Sequence, residues 1–408
     1  MKSARIVALI AFAFGFAFNE WAFRFIFPLQ PIDSFMRLMT LILDGFIAVF
    51  VFTFLWRNTA ATVRVKQLLA DHSRSVAIFL GLFLAYCTFL AVEFSCRYYF
   101  KHYYKAPYSA QTYWEPSAVE RDSTMGSILL RDTVISHAYV VNDSLIYKQY
   151  YRIDEQGRRI TPKTKPDSTY HQFAMITGCS FAFGYGLNEH QTLGYFVDSL
   201  VGKRGYNYAV SGYGTQQTLE LLRTRNLHSE IAEQNGVLIH LFIDDHIKRL
   251  IGSRRLIKLW ARYYPFYYLD GDDLKRDGSF WSGRHWQTRL YRAISESAFI
   301  GLFDIDVPWH VTDGHLKLFG AVIREAKSEF LKQYPEGRFV VLIGPNSELA
   351  SRIVEVLEEN DIQFLDCSNL LDKEKSQYKI HWTEGHPSAK YHLEIADTLN
   401  VFLNNNQH

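Results

Sequence analysis

The stretch 173–186, FAMITGCSFAFGYG, decides how this chain folds. Ala174 to Thr177 is a short apolar run with no polar face, the pattern of a strand covered on both sides. Gly178 ends it, Ser180 follows on a tight strand-to-loop turn, and Gly184 and Gly186 come soon after. A serine on such a turn is exposed at the sheet edge and becomes a nucleophile when a base reaches it.

The same texture continues outward. Asn207–Val210, Val237–Ile243, Phe339–Ile343 and Ile362–Leu365 read as further strands. Between and after them, Thr192–Val201, Thr215–Arg223, Leu316–Gln333, Ser347–Glu358 and Ser388–Phe402 read as helices. Alternating strands and helices with two-sided apolar strands predict a parallel sheet in a three-layer α/β/α arrangement. Such sheets place their sites at the carboxyl ends of the strands. From Lys248 to about Leu316 the alternation stops in a stretch rich in Arg, Tyr and Trp. That insert reads equally as a lid or substrate-binding element and as a packing excursion. Upstream, residues 97–170 read as a small β-rich segment, with strands at Tyr139–Val141 and Leu145–Tyr151 and a turn at Asn142-Asp143.

The strand ends hold the chemistry. The second strand runs into Ser211-Gly212-Tyr213-Gly214, where a glycine lets a backbone N–H approach a ligand. The third runs into Asp244-Asp245-His246, and His381-Trp382-Thr383-Glu384-Gly385-His386 precedes the last helix. Each piece alone is weak, because lone histidines and Gly-x-Ser turns are more often structural. Their joint placement is the signal.

Here the chain resembles the SGNH/GDSL hydrolases over roughly Phe173 to Phe402. GCSFAFGYG (178–186) is similar to that family's GDSFTFGxG block, with Cys179 in place of its aspartate. NYAVSGYGTQQ (207–217) is similar to its NxGxxGxG block, and EGHPSAKYH (384–392) to its DGHPSxxGH block. The resemblance implies a flavodoxin-like parallel sheet with Ser180 as nucleophile and His386 as general base. Glu384 is the one carboxylate in place to orient the histidine. The Ser180 and Gly212 N–H groups would form the oxyanion hole. The family's third block has an asparagine donor where Asp244 stands, so an ionised Asp244 would repel an oxyanion unless neutralised by His246 or Arg249 or turned away. Asp245 and His246 are auxiliary candidates. On this resemblance Asp244→Asn would restore a donor.

Other classes fail on residues. Forty-four Lys and Arg against 42 Asp and Glu leave a net charge of +2, so charge gives no sign of a nucleic-acid partner. The four cysteines form no CxxC pair, and no HExxH or Cys/His spacing offers a metal site, so no cofactor is implied. Ala182 stands where GxSxG needs glycine, Gln217 where GxGxxG does, and no GxxxxGK[ST] phosphate loop exists. The 408 residues are 48% hydrophobic and 21% charged, a globular composition of two to three domains at roughly 150 residues each.

The hydrophobicity is unevenly spread. Apolar runs at Ile6–Leu29, Leu38–Trp56 and Val76–Cys96 approach the ~20 residues that cross a bilayer. The first, preceded by Lys2 and Arg5, also fits a signal peptide, but two further runs follow and no clear cleavage site does. Three transmembrane helices over 1–96 are therefore expected, with Asp44 and Glu93 inside spans. Arg57, Arg64, Lys66 and Arg74 put the second loop inside, and the hydrolase-like domain of 171–408 outside, as in a multi-pass cell-membrane protein. Arg97, Lys101 and Lys105 weigh against that orientation. The expected function is a membrane-anchored serine ester hydrolase acting on an O-acyl ester, with an envelope glycan or lipid as candidate substrate. The alternatives are an acyltransferase to an envelope polysaccharide, working with a membrane acyl-donor partner, and a catalytically degenerate binding or scaffold protein.

Overall fold

A computed structural model describes residues 36–45, 73–372 and 375–405 of the chain. Contacts divide it into two units, residues 1–105 with 289–306, and residues 106–288 with 307–408.

The second unit begins with β1 (Ala110–Glu115), β2 (Val119–Asp122), β3 (Gly126–Leu129), β4 (Thr133–Val141) and β5 (Ser144–Ile153). β4 pairs antiparallel with both β1 and β5, and β2 with β3. Asn142 and Asp143 both have positive φ, 47° and 62°, as a two-residue type I′ hairpin needs. Along β4 every second residue is buried, so Ile135, His137, Tyr139 and Val141 share the inward face.

The central sheet contains β6 (Phe173–Thr177), β7 (Arg204–Asn207), β8 (Gly236–Phe242), β11 (Arg338–Ile343) and β12 (Gln363–Asp366), in the order β12-β11-β8-β6-β7. All its pairings are parallel. Every residue of β6 and β8 is buried. Helices Leu193–Val201 and Ala389–Asn405 pack together; Thr215–Thr224, Asp245–Ile251 and Asp313–Gln333 form a second group. The chain winds away in one direction from β6 to β7 and in the other from β6 to β8. That reversal falls beside β6, and sheets of this kind place their sites outside the carboxyl ends of the strands at such a point.

One strand is displaced from its expected place. β7 is Arg204–Asn207, so Tyr208–Val210 run on as a loop. β7 is an edge strand of the parallel sheet, paired with β6 and bridged on its Asn207 by Arg159, and its arginine replaces apolar burial with polar contacts. Arg204 reaches Asp198 at 3.0 Å and the Thr161 carbonyl at 2.9 Å. In the insert, β9 (Pro265–Asp270) and β10 (Asp273–Ser279) form a hairpin fastened to helix Thr215–Thr224. Tyr267 and Arg276 both bond the buried Glu220 carboxylate.

The expected membrane helices are corrected. No helix among the described residues is long and apolar enough to cross a membrane. The first run lies outside those residues, and the second is described only over 38–45, which is helical. The third lies within helix Ser73–His102, whose later half meets protein. Glu93 there is fully buried, pairs with Arg97 at 2.8 Å and accepts hydrogen bonds from the Ser297 hydroxyl (2.6 Å) and the N–H groups of Ala298 (2.8 Å) and Phe299 (3.1 Å). It caps the short helix Ala298–Leu302, so the charge is satisfied by first-turn donors. Cys87 and Leu90 of the same helix form a small apolar cluster with Leu43 of the helical stretch 36–45. The multi-pass membrane localisation, and the extracytoplasmic placement derived from it, fall with the spans.

Buried histidines give the core a pH signature. His240 of β8 is fully buried, within 3.1 Å of the Thr177 hydroxyl and 3.2 Å of that of Thr218. Burial pushes its pKa down to about 3, and that of the buried His392 likewise. Because the unfolded imidazoles titrate near 6.5, the unfolded chain binds more protons between pH 6.5 and 3. Stability is therefore full above about pH 6.5 and declines as pH falls toward 3. The unfolding free energy from urea denaturation should fall between pH 7 and 5, and by about 2 kcal/mol less in His240→Gln. Parallel slopes would contradict the assignment.

Candidate active site

Gly178 makes the turn after β6. Its φ of +134° is closed to most L side chains, and an added Cβ would lie 2.8 Å from the Leu241 carbonyl oxygen. Cys179 is fully buried beneath the turn, and Ser180 opens a one-turn helix, Ser180–Phe183, ended by Gly184 in the left-handed conformation.

The loop beyond that helix is held from below. Arg159 is almost wholly buried, and its guanidinium donates to the carbonyls of Phe183 (2.8 Å), Gly184 (2.6 Å) and Leu187 (2.6 Å). The Asn207 side-chain amide donates to the carbonyls of Ala182 (3.3 Å) and Phe183 (3.2 Å). Burial draws the Arg159 pKa down to about 10, partly offset by Tyr151 and Glu189, so it is still cationic at neutral pH. In the sequence Arg159 is only one residue of the β-rich segment 97–170; its contacts are 24 to 28 residues away along the chain.

His386 arrives on a hairpin formed by β13 (Lys379–His381) and β14 (Glu384–Pro387). Residues two apart on a strand share a face, so Glu384 and His386 point the same way. The Ser180 hydroxyl lies 2.8 Å from His386 Nε2, and His386 Nδ1 bonds Glu384 Oε1. The carboxylate accepts from Nδ1–H, which leaves Nε2 to accept the serine proton. The second carboxylate oxygen, Oε2, is buried, as is most of Glu384. The turn between the strands is fixed by Thr383, whose hydroxyl lies 2.7 Å from His381 Nδ1 and 3.0 Å from the Tyr139 hydroxyl. The site thus joins Ser180, His386 and Glu384 in one hydrogen-bonded chain.

Gly212 sits at φ +89° in the loop after β7, and an added Cβ would lie 2.9 Å from the Tyr264 hydroxyl and 3.2 Å from Trp260 Nε1. The insert's aromatic residues therefore close against this loop. Arg249 donates to the Tyr213 carbonyl at 2.7 Å.

The remaining candidates lie elsewhere. Asp244 Oδ1 accepts from the Ser347 hydroxyl at 2.5 Å and Oδ2 from the Glu348 N–H at 2.7 Å. Its carboxylate is committed to that loop and not to His246 or Arg249. Asp245 is exposed, 3.8 Å from Arg249. His246 is buried against His240 (5.3 Å) and Phe242 (5.7 Å), and burial, then Arg249 and His240, hold its pKa well below the usual imidazole value. None of the three bonds the triad. Among the described residues no group of His, Cys, Asp or Glu is arranged to hold a metal.

No family model matches the chain, and no curated protein does. Solved structures with some likeness include one described as a lipolytic protein of the G-D-S-L family from Desulfitobacterium hafniense DCB-2 (13% identity, 57% of this chain and 98% of that one, TM-score 0.30). An acetyl xylan esterase from the rumen bacterium Butyrivibrio proteoclasticus gives 10% identity over 73% of this chain and 87% of its own, TM-score 0.36. A carbohydrate esterase family 2 enzyme with a carbohydrate-binding domain, from Corynascus thermopiles, gives 12% over 73% and 88%, TM-score 0.32. At these scores the likenesses carry no assignment. The chemistry of the site is carried by its own geometry.

Both Asp244 oxygens accept; an amide there keeps its oxygen for the Glu348 N–H and donates to the Ser347 hydroxyl, so both bonds survive without the charge that strengthens them. Asp244→Asn should lower stability by about 1 kcal/mol in urea denaturation and give no gain in ester hydrolysis. A clear gain in hydrolysis would show that residue 244 reaches the reacting carbonyl.

Proposed function

We propose that this protein is a serine hydrolase that cleaves carboxylic esters. The observation that carries the reading is the continuous hydrogen-bonded chain from Ser180 Oγ through the His386 imidazole to Glu384. A buried carboxylate that fixes the imidazole tautomer, with a serine hydroxyl on its free nitrogen, is the arrangement that makes an alcohol nucleophilic at neutral pH.

In this reading Ser180 Oγ attacks the ester carbonyl carbon while His386 Nε2 takes its proton. The tetrahedral intermediate collapses as the C–O bond to the alcohol breaks, and His386 returns the proton to the leaving oxygen. Water then attacks the acyl-Ser180 ester by the same proton path, releasing the carboxylic acid and the free serine. Glu384 stays ionised throughout and stabilises the imidazolium that forms in both halves.

The N–H groups of Ser180 and Gly212 are the donors offered to the oxyanion. Among the described residues neither donates to another backbone group, and Ser180 stands at a helix start, where N–H groups lack intrahelical partners. Asp244 adds no third donor, a loss that typically costs about 100- to 1000-fold in rate. The reading therefore includes a modest turnover rate.

The test is labelling with a fluorophosphonate, combined with hydrolysis of a short-chain aryl ester. The wild-type protein should be labelled at Ser180. Ser180→Ala and His386→Ala should each lose at least about 1000-fold in kcat. Glu384→Gln should lose about 100- to 10,000-fold, because its amide favours the wrong imidazole tautomer. Hydrolysis that survives Ser180→Ala would overturn the reading, as would a wild-type protein that is neither labelled nor active.

A further inference from the structure

The His386 imidazole is held from a side that neither Ser180 nor Glu384 supplies. The Tyr185 ring lies nearly parallel against it, with centroids 4.1 Å apart and planes at 19°, and Phe181 flanks it at 5.6 Å. Behind Tyr185 stands His137 of β4, at 4.3 Å and 67°. Trp114 of β1 stacks on His137 at 3.9 Å and 9°. Four rings thus run from the β-rich segment to the catalytic base.

The far end of this stack is fixed and uncharged. The Gly186 N–H donates to the Tyr151 hydroxyl at 2.7 Å, and that hydroxyl lies 2.7 Å from His137 Nδ1. Burial, then the nearness of His386 and Arg159, pushes the His137 pKa down to about 3. His137 is therefore neutral wherever the triad works. Tyr185 is itself tied to the nucleophile loop, since its N–H donates to the Ser180 carbonyl at 3.1 Å. Arg159 holds the preceding carbonyl, that of Gly184.

Resting on the serine-hydrolase reading, we propose that Tyr185 is a positioning residue for His386, held in place by His137 and Trp114. It has two effects. Packing a flat face against the imidazole fixes the ring plane, so Nε2 stays aimed at Ser180. The negative face of the tyrosine ring also attracts a cation more than a neutral ring, which favours the imidazolium of each tetrahedral step over the resting imidazole. Only an interaction stronger in the transition state raises kcat, and this one is. A cationic His137 beside the same ring would oppose the effect; its burial as a neutral imidazole preserves it. The β-rich segment then belongs to the catalytic apparatus.

The experiment compares wild type, Tyr185→Phe and Tyr185→Leu in the full chain, by fluorophosphonate labelling rate and by kcat and KM on a short-chain aryl ester. Tyr185→Phe, which keeps the ring, should stay within about 2-fold of wild type. Tyr185→Leu should lose about 10- to 100-fold in kcat and in labelling rate with KM unchanged. A folded Tyr185→Leu protein with wild-type kcat would overturn the proposal, and so would a Phe variant that falls as far as the Leu variant. Should Tyr185→Leu not fold, Trp114→Leu removes only the outermost ring. It should lower kcat about 3- to 10-fold at unchanged KM, and wild-type kcat there would overturn the proposal instead. A wild-type protein that resists the fluorophosphonate removes the serine-hydrolase reading itself, which separates the two failures.

Discussion

The guanidinium of Arg159, buried and bonded to three carbonyls of the loop after Ser180, is the constraint on which the site depends. A short helix of four residues has little stability of its own, because nucleating a helical turn costs more than its few bonds return. Its place is set instead by polar groups brought from outside. Arg159 comes from the lead-in to the sheet and Asn207 from the end of β7, and both fasten carbonyls that the helix leaves unpaired. A buried cation is costly unless it is hydrogen-bonded, and here both terminal nitrogens of the guanidinium bond the backbone that follows Ser180. The placement of Ser180 and core integrity are thereby the same interaction. Replacing the arginine would take this donor from the Leu187 carbonyl and leave the Phe183 carbonyl to Asn207 and that of Gly184 to the Leu187 N–H.

The other half of the site is a hairpin, and its design is simpler. Strand geometry places Glu384 and His386 on one face, so the pair needs no distant acid. The longer glutamate reaches the imidazole of its own strand neighbour but one. The aromatic rings from β1 and β4 then approach this hairpin from the other side. Serine, base and ring stack all converge at the carboxyl edge of the sheet, where the winding of the chain reverses beside β6.

Much of this is legible in the residues, for reasons that are local. The β6 run, the glycine at 178 and the i, i+2 relation of Glu384 and His386 depend on neighbours a few positions away. So does the Asn142-Asp143 hairpin turn. The apolar pattern misplaces β7 by three residues because an edge strand containing Arg204 lacks the signature of a central one. Asp244 aligns with a donor position, but its partners, Ser347 and Glu348, lie more than a hundred residues on. Arg159, Tyr185 and His137 carry no local signal for the same reason, since each acts through long-range contacts. The apolar run ending at Cys96 misleads in a different way. Composition alone does not separate a helix buried against lipid from one whose buried Glu93 caps another helix of the protein.

The central claim is that Ser180 becomes covalently acylated. Mixing the full-length protein with an aryl acetate in excess, quenching in acid and mapping the peptides by mass spectrometry addresses this directly. The account predicts a single acetyl group on the peptide containing Ser180, accumulated within the first turnover and absent from His386→Ala. An acetyl group located elsewhere, or product release with no acylated protein at any quench time and no acylation under single-turnover conditions, would contradict it.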